Sequence, residues 1–287
     1  MARDDFCILI LSYDRAGRIP TLTTIENSTY DGDWYIVIDH PDDIEPYEEE
    51  YGEDRVVYFD KDDVVPRVDR GDNFDRRNSI LYARFNSFKI ARDLGYDYFM
   101  QLDDDYSFFQ WRFNDRFEYD PQNPGSFDLN LYIDNAIEYL EDADLDTVCM
   151  AQGGDFIGGG ESQFAQKVGT KRKAMNTFIC KSDKQFDFRG SINEDVNTYV
   201  RAQQLGKLFL TVNFASVEQE STQQSEGGLT DLYKANGTYI KSFYTLLYNP
   251  SCASLGKLKG RSAERIHHRI SWRNAVPKVV PESARND

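Results

Sequence analysis

Three consecutive carboxylates, Asp103, Asp104 and Asp105, form the stretch of this sequence best suited to chemistry. They directly follow the run 98–102, Tyr-Phe-Met-Gln-Leu, which has the apolar and aromatic character of a buried strand. Adjacent aspartates repel one another and are costly to bury without compensation. Hard oxygen ligands at a strand end suit Mg2+ or Mn2+, commonly shared with a phosphate. The sequence therefore predicts a divalent metal site, and the alternative is a solvated acidic turn.

Further apolar runs predict strands that deliver polar residues at their carboxyl ends. The run 6–11 precedes Ser12 and Tyr13, and the run 34–38 precedes Asp39. Both runs are continuously apolar, as in strands that are buried on both faces of a sheet. In open α/β sheets, ligands bind beyond these strand ends. The three polar residues are therefore candidates for ligand binding.

Helical periodicity is clearest from residue 76 to residue 94, where apolar side chains recur every three or four positions and Gly95 supplies the stop. Arg77 and Arg84 are polar residues of this helix. A helix is also predicted to begin at Asn193-Glu194-Asp195, with Asn193 as its cap and two acids in its first turn. The remaining predictions are helices at 19–27, 129–140 and 238–248, strands at 56–59, 147–151, 176–180 and 208–212, and a mobile loop at 219–230.

The charge distribution limits the classes of partner. The 287 residues carry a formal net charge of −16, which argues against indiscriminate binding to nucleic acid. The segment 234–278 is an exception, because it holds nine Lys or Arg against a single acid, Glu264. An acidic body with one basic segment could still meet an anionic ligand on that face.

Cysteine usage and hydropathy predict a cytoplasmic protein. The four cysteines are scattered and read as reduced, mostly buried thiols. No apolar run approaches the length that spans a bilayer, so no membrane partner is expected. The segment 1–5 does not read as a signal peptide.

The chain resembles a GT-A nucleotide-sugar glycosyltransferase over roughly residues 6–213. The resemblance rests on the β/α/β front half, the Asp-x-Asp of Asp103 and Asp105, the later Asn193-Glu194-Asp195 and the pair His267-His268. The resemblance implies an α/β fold of the GT-A (Rossmann-like) type, with a mixed sheet flanked by helices, a C-terminal acceptor-side lobe and a basic tail. It implies a single catalytic domain over residues 1–287. Approximately residues 1–150 would bind the nucleotide sugar, and residues 151–287 would form the acceptor-binding half and the tail.

The same resemblance assigns roles at the metal site. Asp105 and Asp103 would hold Mn2+ or Mg2+, with His268 as a third ligand; the alternative for the histidine pair is a solvated basic helix. The ion would bridge the phosphates of a UDP-sugar and stabilise the leaving UDP. The donor-binding residues implied in this way are Ser12, Tyr13, Asp39, Arg77, Arg84, Asp103, Asp104 and Arg269.

The segment Asn193-Glu194-Asp195 resembles the acidic motif of inverting GT-A enzymes, in which a carboxylate takes the proton of the acceptor hydroxyl. The implied catalytic residue is Asp195 first and Glu194 second. The alternative is a helix start with acids in its first turn. In a retaining enzyme the role of base would pass to another group.

A narrower resemblance rests on the segments 8–13, 101–105 and 268–278. They are similar to phage glycosyltransferases associated with TET/JBP-type base hydroxylases and with hypermodified DNA. That family implies sugar transfer from a UDP donor to a hydroxymethylated pyrimidine, 5-hydroxymethylcytosine above all, in bacteriophage DNA. It also implies that a phage-encoded enzyme would be located in the cytoplasm of the host cell. The acidic net charge fits such an acceptor poorly. The basic tail and Trp111, Trp272 and Tyr239 fit it better, because a flipped base needs a stacking partner, although such aromatics equally serve in a core.

Several alternatives remain open at this point. The acceptor could be a surface or capsular glycan, or a protein hydroxyl. A nucleotidyltransferase shares the same carboxylate, metal and phosphate chemistry, and would release pyrophosphate in place of UDP. A non-enzymatic binding module could have kept the fold without turnover, but the intact Asp103, Asp105 and Asp195 weigh against it.

Overall fold

The structure is a computed structural model, and it describes residues 3–71, 79–121, 126–169, 172–174, 176–219, 239–259 and 264–275. Within these ranges the strands are β1 (Phe6–Leu11), β2 (Asp33–Ile38), β3 (Val56–Tyr58), β4 (Tyr98–Asp103), β5 (Tyr106–Trp111), β6 (Thr147–Gln152), β7 (Ile179–Lys181), β8 (Phe209–Gln219), β9 (Ala253–Lys259) and β10 (Glu264–Ile270). The α-helices are α1 (Pro20–Glu26), α2 (Ile44–Tyr51), α3 (Leu81–Asp93), α4 (Leu129–Asp142), α5 (Gln163–Gln166), α6 (Glu194–Gln204) and α7 (Ile240–Tyr248).

One mixed sheet carries the candidate site. Its strand order is β3-β2-β1-β4-β7-β6-β8-β5. The first four strands are parallel, whereas β7 is antiparallel to β4 and β6, and β5 is antiparallel to β8. Leu11 pairs with Asp103 and also with Val37, so the ends of β1, β2 and β4 lie side by side. The predicted α/β class with a mixed sheet and flanking helices is confirmed.

Helices cover both faces of the sheet, which explains the continuously apolar strands. In β1, Ile8 and Ile10 pack into a core that includes residues of α1, α2 and α4. The alternating residues Cys7 and Leu9 pack into a second core with α3 and α6. The four cysteines are free and buried, as predicted.

The C-terminal segment forms a separate two-stranded sheet, the antiparallel hairpin β9–β10. Helix α7 packs against both of its strands and against α6. His267 and His268 lie in β10, opposite Gly256 and Leu255. The alternative of a basic helix here is therefore wrong. The absence of a Cβ at Gly256 leaves room for the Arg269 side chain to lie across the neighbouring strand, which favours the hairpin.

Other element boundaries differ in detail from the predictions. Helix α3 begins at Leu81, and residues 76–78 of the predicted helix lie outside the described part of the chain. Strand β8 continues well beyond residue 212, because its second half pairs with β5 on one side and, after a register shift, still pairs with β6 on the other. The predicted loop after Gln219 also falls outside the described residues. Among the helices that the structure describes, none is long and apolar enough to cross a membrane.

Candidate active site

The three aspartates occupy the tight turn between β4 and β5. Asp103 ends β4, and Asp104 and Asp105 lead into β5 at Tyr106. Thr21 of α1 fixes this turn, because its Oγ1 donates to the carbonyl of Asp103 at 2.7 Å and accepts from the backbone N–H of Tyr106 at 3.0 Å. Asp103 and Asp104 are both buried. The alternative of a solvated acidic turn is therefore wrong.

Arg84 joins the two acidic motifs of the sequence. It enters from α3 and is fully buried, with 1% of its side chain exposed. Its Nη2 donates to Asp103 Oδ1 at 2.6 Å, and its Nε donates to Glu194 Oε1 at 3.1 Å. Its Nη1 is buried and has no hydrogen-bond partner within the described residues. Arg84, a predicted donor-binding residue, thus binds two carboxylates through Nη2 and Nε, and its Nη1 can donate to a further oxygen.

The surroundings of Arg84 carry an excess of negative charge. Three carboxylates, Asp103, Glu194 and Asp195, face one guanidinium, a formal sum of −2, and Asp105 lies beside Asp103. Burial raises the pKa of Asp103 to about 6, and Asp105 and Asp195 add to this effect while Arg84 opposes it. Burial likewise raises the pKa of Glu194 to about 7, with Asp195 adding to it. A further cation would be stabilised in this cluster.

Helix α6 presents Glu194 and Asp195 in its first turn because of the loop before it. Asn193 has a left-handed backbone (φ 60°), and its side chain donates to Thr245 Oγ1 of α7 at 2.7 Å. Asn193 is the N-cap residue of α6, as predicted, but its side chain makes no capping hydrogen bond, because its amide binds α7 instead. Asp195 Oδ1 accepts the backbone N–H of Val196 at 2.7 Å.

Asp104 faces away from this cluster, toward the end of β1. Its Oδ2 accepts from Ser12 Oγ at 2.7 Å, and its Oδ1 forms an ion pair with Arg15. Ser12 also shares a hydrogen bond of 2.7 Å with the hydroxyl of Tyr47. Arg15 was not among the site residues predicted from the sequence. A cation in the loop after β1 is a signal that could have identified it as a partner for one aspartate.

Two other predicted donor-binding residues, Asp39 and Tyr13, follow strands at the same sheet edge. Asp39 follows β2 and pairs with the buried Lys61 at 3.0 Å. Burial raises the pKa of Asp39, and Lys61 opposes this shift. The ring of Tyr13 stands edge-on to His40, with 5.8 Å between centroids. Arg77 falls outside the described residues.

His268 and Arg269 occupy the hairpin. His268 lines a cavity with Arg172, Lys173 and Trp272. Burial is the main reason that the pKa of His268 is lowered to about 4. Arg269 is exposed, and its Nη2 donates to the carbonyl of Lys257 at 3.1 Å. Across the described ranges, no three His, Cys, Asp or Glu side chains are grouped so as to hold a metal ion. The role of His268 as a third metal ligand stays a prediction.

A sequence model of the TET-associated glycosyltransferase family matches residues 6–228. The chain belongs to this family. The predicted enzyme class, a glycosyltransferase, is thereby confirmed, and the nucleotidyltransferase alternative is set aside. Among curated proteins, none matches the sequence.

Two solved structures resemble this glycosyltransferase in fold. One is mannosyl-3-phosphoglycerate synthase from Rubrobacter xylanophilus, at 9% identity and a TM-score of 0.44, covering 92% of this chain and 86% of that chain. The other is GalNAc-T7 with UDP, GalNAc and Mn2+, at 11% identity and a TM-score of 0.41, covering 75% of this chain and 43% of that chain. The family assignment itself rests on the sequence match.

The carboxylates of this family member suit a divalent ion that a substrate helps to bind. Asp103 Oδ1 is bound to Arg84, but its Oδ2 accepts no hydrogen bond within the described residues. Both oxygens of Asp105 accept from Gln219 Nε2, at 2.8 and 3.0 Å, so this carboxylate is held at the edge of the cluster. Mg2+ commonly takes one or two protein carboxylates and completes its shell with phosphate and water. The donor set of Asp103 and Asp105 fits that pattern.

Proposed function

We propose that this glycosyltransferase moves a sugar from a UDP-sugar to the hydroxymethyl group of a modified pyrimidine in DNA, with 5-hydroxymethylcytosine as the first candidate. The observation that carries the proposal is the cluster of buried carboxylates around Arg84, at the strand edge where α/β proteins bind ligands. The family membership supplies the reaction class.

Asp195 is the proposed general base. Glu194 is held by Arg84, whereas Asp195 accepts only the N–H of Val196 among the described residues and keeps its second oxygen available. Asp195 takes the proton from the acceptor hydroxyl as that oxygen attacks the anomeric carbon. The bond from the anomeric carbon to the β-phosphate oxygen breaks, and UDP leaves with the electron pair.

Asp103 and Asp105 are the proposed ligands of Mn2+ or Mg2+. When bound, the ion neutralises negative charge that develops on the diphosphate. Arg84 fixes the orientation of Asp103, and Gln219 fixes that of Asp105. Preorganised groups of this kind require little rearrangement during the reaction.

The DNA acceptor is supported by the family and by the local charge. The family is associated with TET-type base hydroxylases, and the resemblance set out above implies a hydroxymethylpyrimidine as the acceptor. The nine cations of the segment 234–278 are concentrated in an otherwise acidic chain. Phosphate contacts from such a segment would position a nucleic acid without reading its sequence.

The decisive experiment combines the protein with Mn2+, a panel of UDP-sugars and a duplex that contains 5-hydroxymethylcytosine. Mass spectrometry of the nucleosides is expected to show the mass of one sugar added to the modified base, with one UDP released for each transfer. Asp195→Asn should lower the transfer rate by about 10²–10⁴-fold and leave UDP binding intact.

Asp146→Asn is the matched control for this experiment. Asp146 is also buried, but it pairs with Lys207 at 2.8 Å at the opposite edge of the sheet. Its loss should leave the rate per folded molecule unchanged. Release of UDP without added mass on DNA would contradict the DNA acceptor and favour a glycan or a protein hydroxyl. Full transfer by the Asp195 variant would contradict the assignment of the base.

A further inference from the structure

A cavity of about 260 Å³ lies between α6, the hairpin strand β10 and the segment 172–174. This volume is far larger than the space that one water molecule needs, so there is room for a small polar group. The cavity is lined by Arg172, Lys173, Tyr199, His268, Ile270 and Trp272.

Two of the lining side chains contain buried nitrogen atoms without a partner. Arg172 Nε and His268 Nδ1 make no hydrogen bond within the described ranges. The Arg172 guanidinium lies over the ring of Phe164, 3.6 Å from its centroid, which accounts for the burial of its Nε. Two polar side chains therefore line the cavity and make its wall polar as well as cationic.

The charge at the cavity favours an anion. Arg172 and Lys173 both contact Asp155 Oδ1, at 2.7 and 2.8 Å, so two cations share one carboxylate. A formal charge of +1 therefore remains beside the cavity, in a chain whose net charge is −16. A guanidinium together with an ammonium is a common donor set for phosphate.

The position of the cavity relates it to the proposed base. Tyr199 follows Asp195 by four residues on α6, so the two side chains lie on the same face of that helix, one turn apart. Trp272 lies nearly parallel to Tyr199, with ring centroids 5.9 Å apart and planes at 22°. The half-buried indole thus supplies an aromatic wall next to the cationic group.

We propose that this cavity is a phosphate subsite for the acceptor. It takes a phosphodiester group of the nucleic acid close to the modified pyrimidine. The phosphate oxygens bind Arg172 and Lys173, and the attached nucleoside packs against Trp272. This inference rests on the proposed function, since it assumes a nucleic-acid acceptor. The diphosphate of the donor is the other possible source of phosphate, and the experiment separates the two.

The test measures two affinities of the full chain. Fluorescence anisotropy gives the affinity for a short single-stranded oligonucleotide with one 5-hydroxymethylcytosine, and calorimetry gives the affinity for UDP with Mn2+. Lys173→Gln should weaken oligonucleotide binding about tenfold, the size expected for one hydrogen bond to a charged group. It should also reduce the slope of the salt dependence by about 0.7. UDP affinity should not change. Asp155 keeps Arg172 as its partner, so the fold is retained.

Lys181→Gln is the matched control. The Lys181 side chain is 30% exposed and pairs with Glu141 at 2.8 Å, whereas that of Lys173 is 29% exposed and pairs with Asp155 at 2.8 Å. Lys181 pairs with Tyr98 at the N-terminal end of β4, which is the end opposite to the aspartates. Its loss should therefore change neither the oligonucleotide affinity nor the UDP affinity. Trp272→Leu gives a second variant, which should weaken oligonucleotide binding without altering the salt slope.

Replacing single phosphates by neutral methylphosphonates locates the contact. One linkage near the modified base should cost the wild type about tenfold in affinity and cost the Lys173 variant nothing. The inference is overturned if Lys173→Gln weakens UDP binding alone, which would place the cavity on the donor side, or if it changes neither affinity. If the wild type binds the oligonucleotide through Lys173 but adds no sugar to it, the proposed function fails while the subsite stands.

Discussion

Replacing Arg84 by methionine is the sharpest test of how the carboxylate cluster is held together. The substitution keeps a long apolar side chain but removes the guanidinium that binds Asp103 at 2.6 Å and Glu194 at 3.1 Å. Breaking a buried ion pair by removing one partner costs about 3–5 kcal/mol, because the remaining charge is left uncompensated. Domains are stable by only about 5–15 kcal/mol, so a large part of the stability is at stake. At about 2–4 °C per kcal/mol, we expect Tm to fall by roughly 6–20 °C.

The cost of the substitution should depend on pH through Glu194. Burial raises the pKa of this carboxyl from its ordinary 4.5 to about 7, with Asp195 adding to the shift. A raised carboxyl pKa contributes stability that is fully present below pH 4.5 and is lost as the pH rises through 7. Without Arg84 the ionised carboxylate also loses its counter-ion. The destabilisation should therefore be largest near pH 8 and smaller near pH 5, where Glu194 is neutral.

Urea unfolding of the metal-free protein, followed by circular dichroism at pH 5 and pH 8, measures both effects. Combining Arg84→Met with Glu194→Gln should restore part of the loss at pH 8, because one uncompensated charge is removed. Arg112→Met is the matched control. Arg112 is also buried, but its carboxylate partner Glu218, at 2.8 Å, is 35% exposed and can be solvated when the arginine is absent. Arg112→Met should therefore lower the free energy of unfolding by less than Arg84→Met does. An Arg84 variant within 1 kcal/mol of the wild type at pH 8, or an equal loss at both pH values, would refute the reasoning.

Two further predictions concern the metal site and the loop before α6. Mn2+ at 100 times its dissociation constant should stabilise the wild type by about 2.7 kcal/mol. Asp105→Asn should abolish that stabilisation without lowering the Tm measured in a chelator, and a thermal shift that persists in the variant would contradict the ligand assignment. Asn193→Ala should cost about 2–3 kcal/mol, because it combines left-handed backbone strain with the loss of the hydrogen bond to Thr245. Asn193→Gly should cost about 1 kcal/mol less in urea unfolding, since glycine tolerates that backbone; equal losses would argue against strain at this position.

The sequence predicted the parts of this fold that local patterns encode. The runs that became β1, β2 and β4 are continuously apolar, and such runs are stable only between two covered faces. The aspartates at the end of β4 mark the carboxyl edge of the sheet, because the apolar run that must be buried stops there. Helix α4 was predicted with nearly its observed bounds, because its apolar residues recur at helical spacing.

Long-range pairings, in contrast, required the tertiary structure. Arg84 lies 19 residues from Asp103 and 110 from Glu194, and no local spacing relates these charges. The pairing of Asp104 with Arg15, across 89 residues, depends likewise on the adjacency of β1 and β4. The hairpin near Arg269 was missed because strand pairing depends on a partner segment, and a basic run by itself has no such information.

The sequence by itself thus determined where the carboxylates stand along the chain and which strand ends they follow. Only the tertiary structure decided that the buried guanidinium of Arg84 binds both Asp103 and Glu194, and that His268 lines a cavity with Arg172 and Lys173. The physical reason is that periodicity reports which face of an element is buried, whereas the partner of a buried charge is chosen by packing between distant elements.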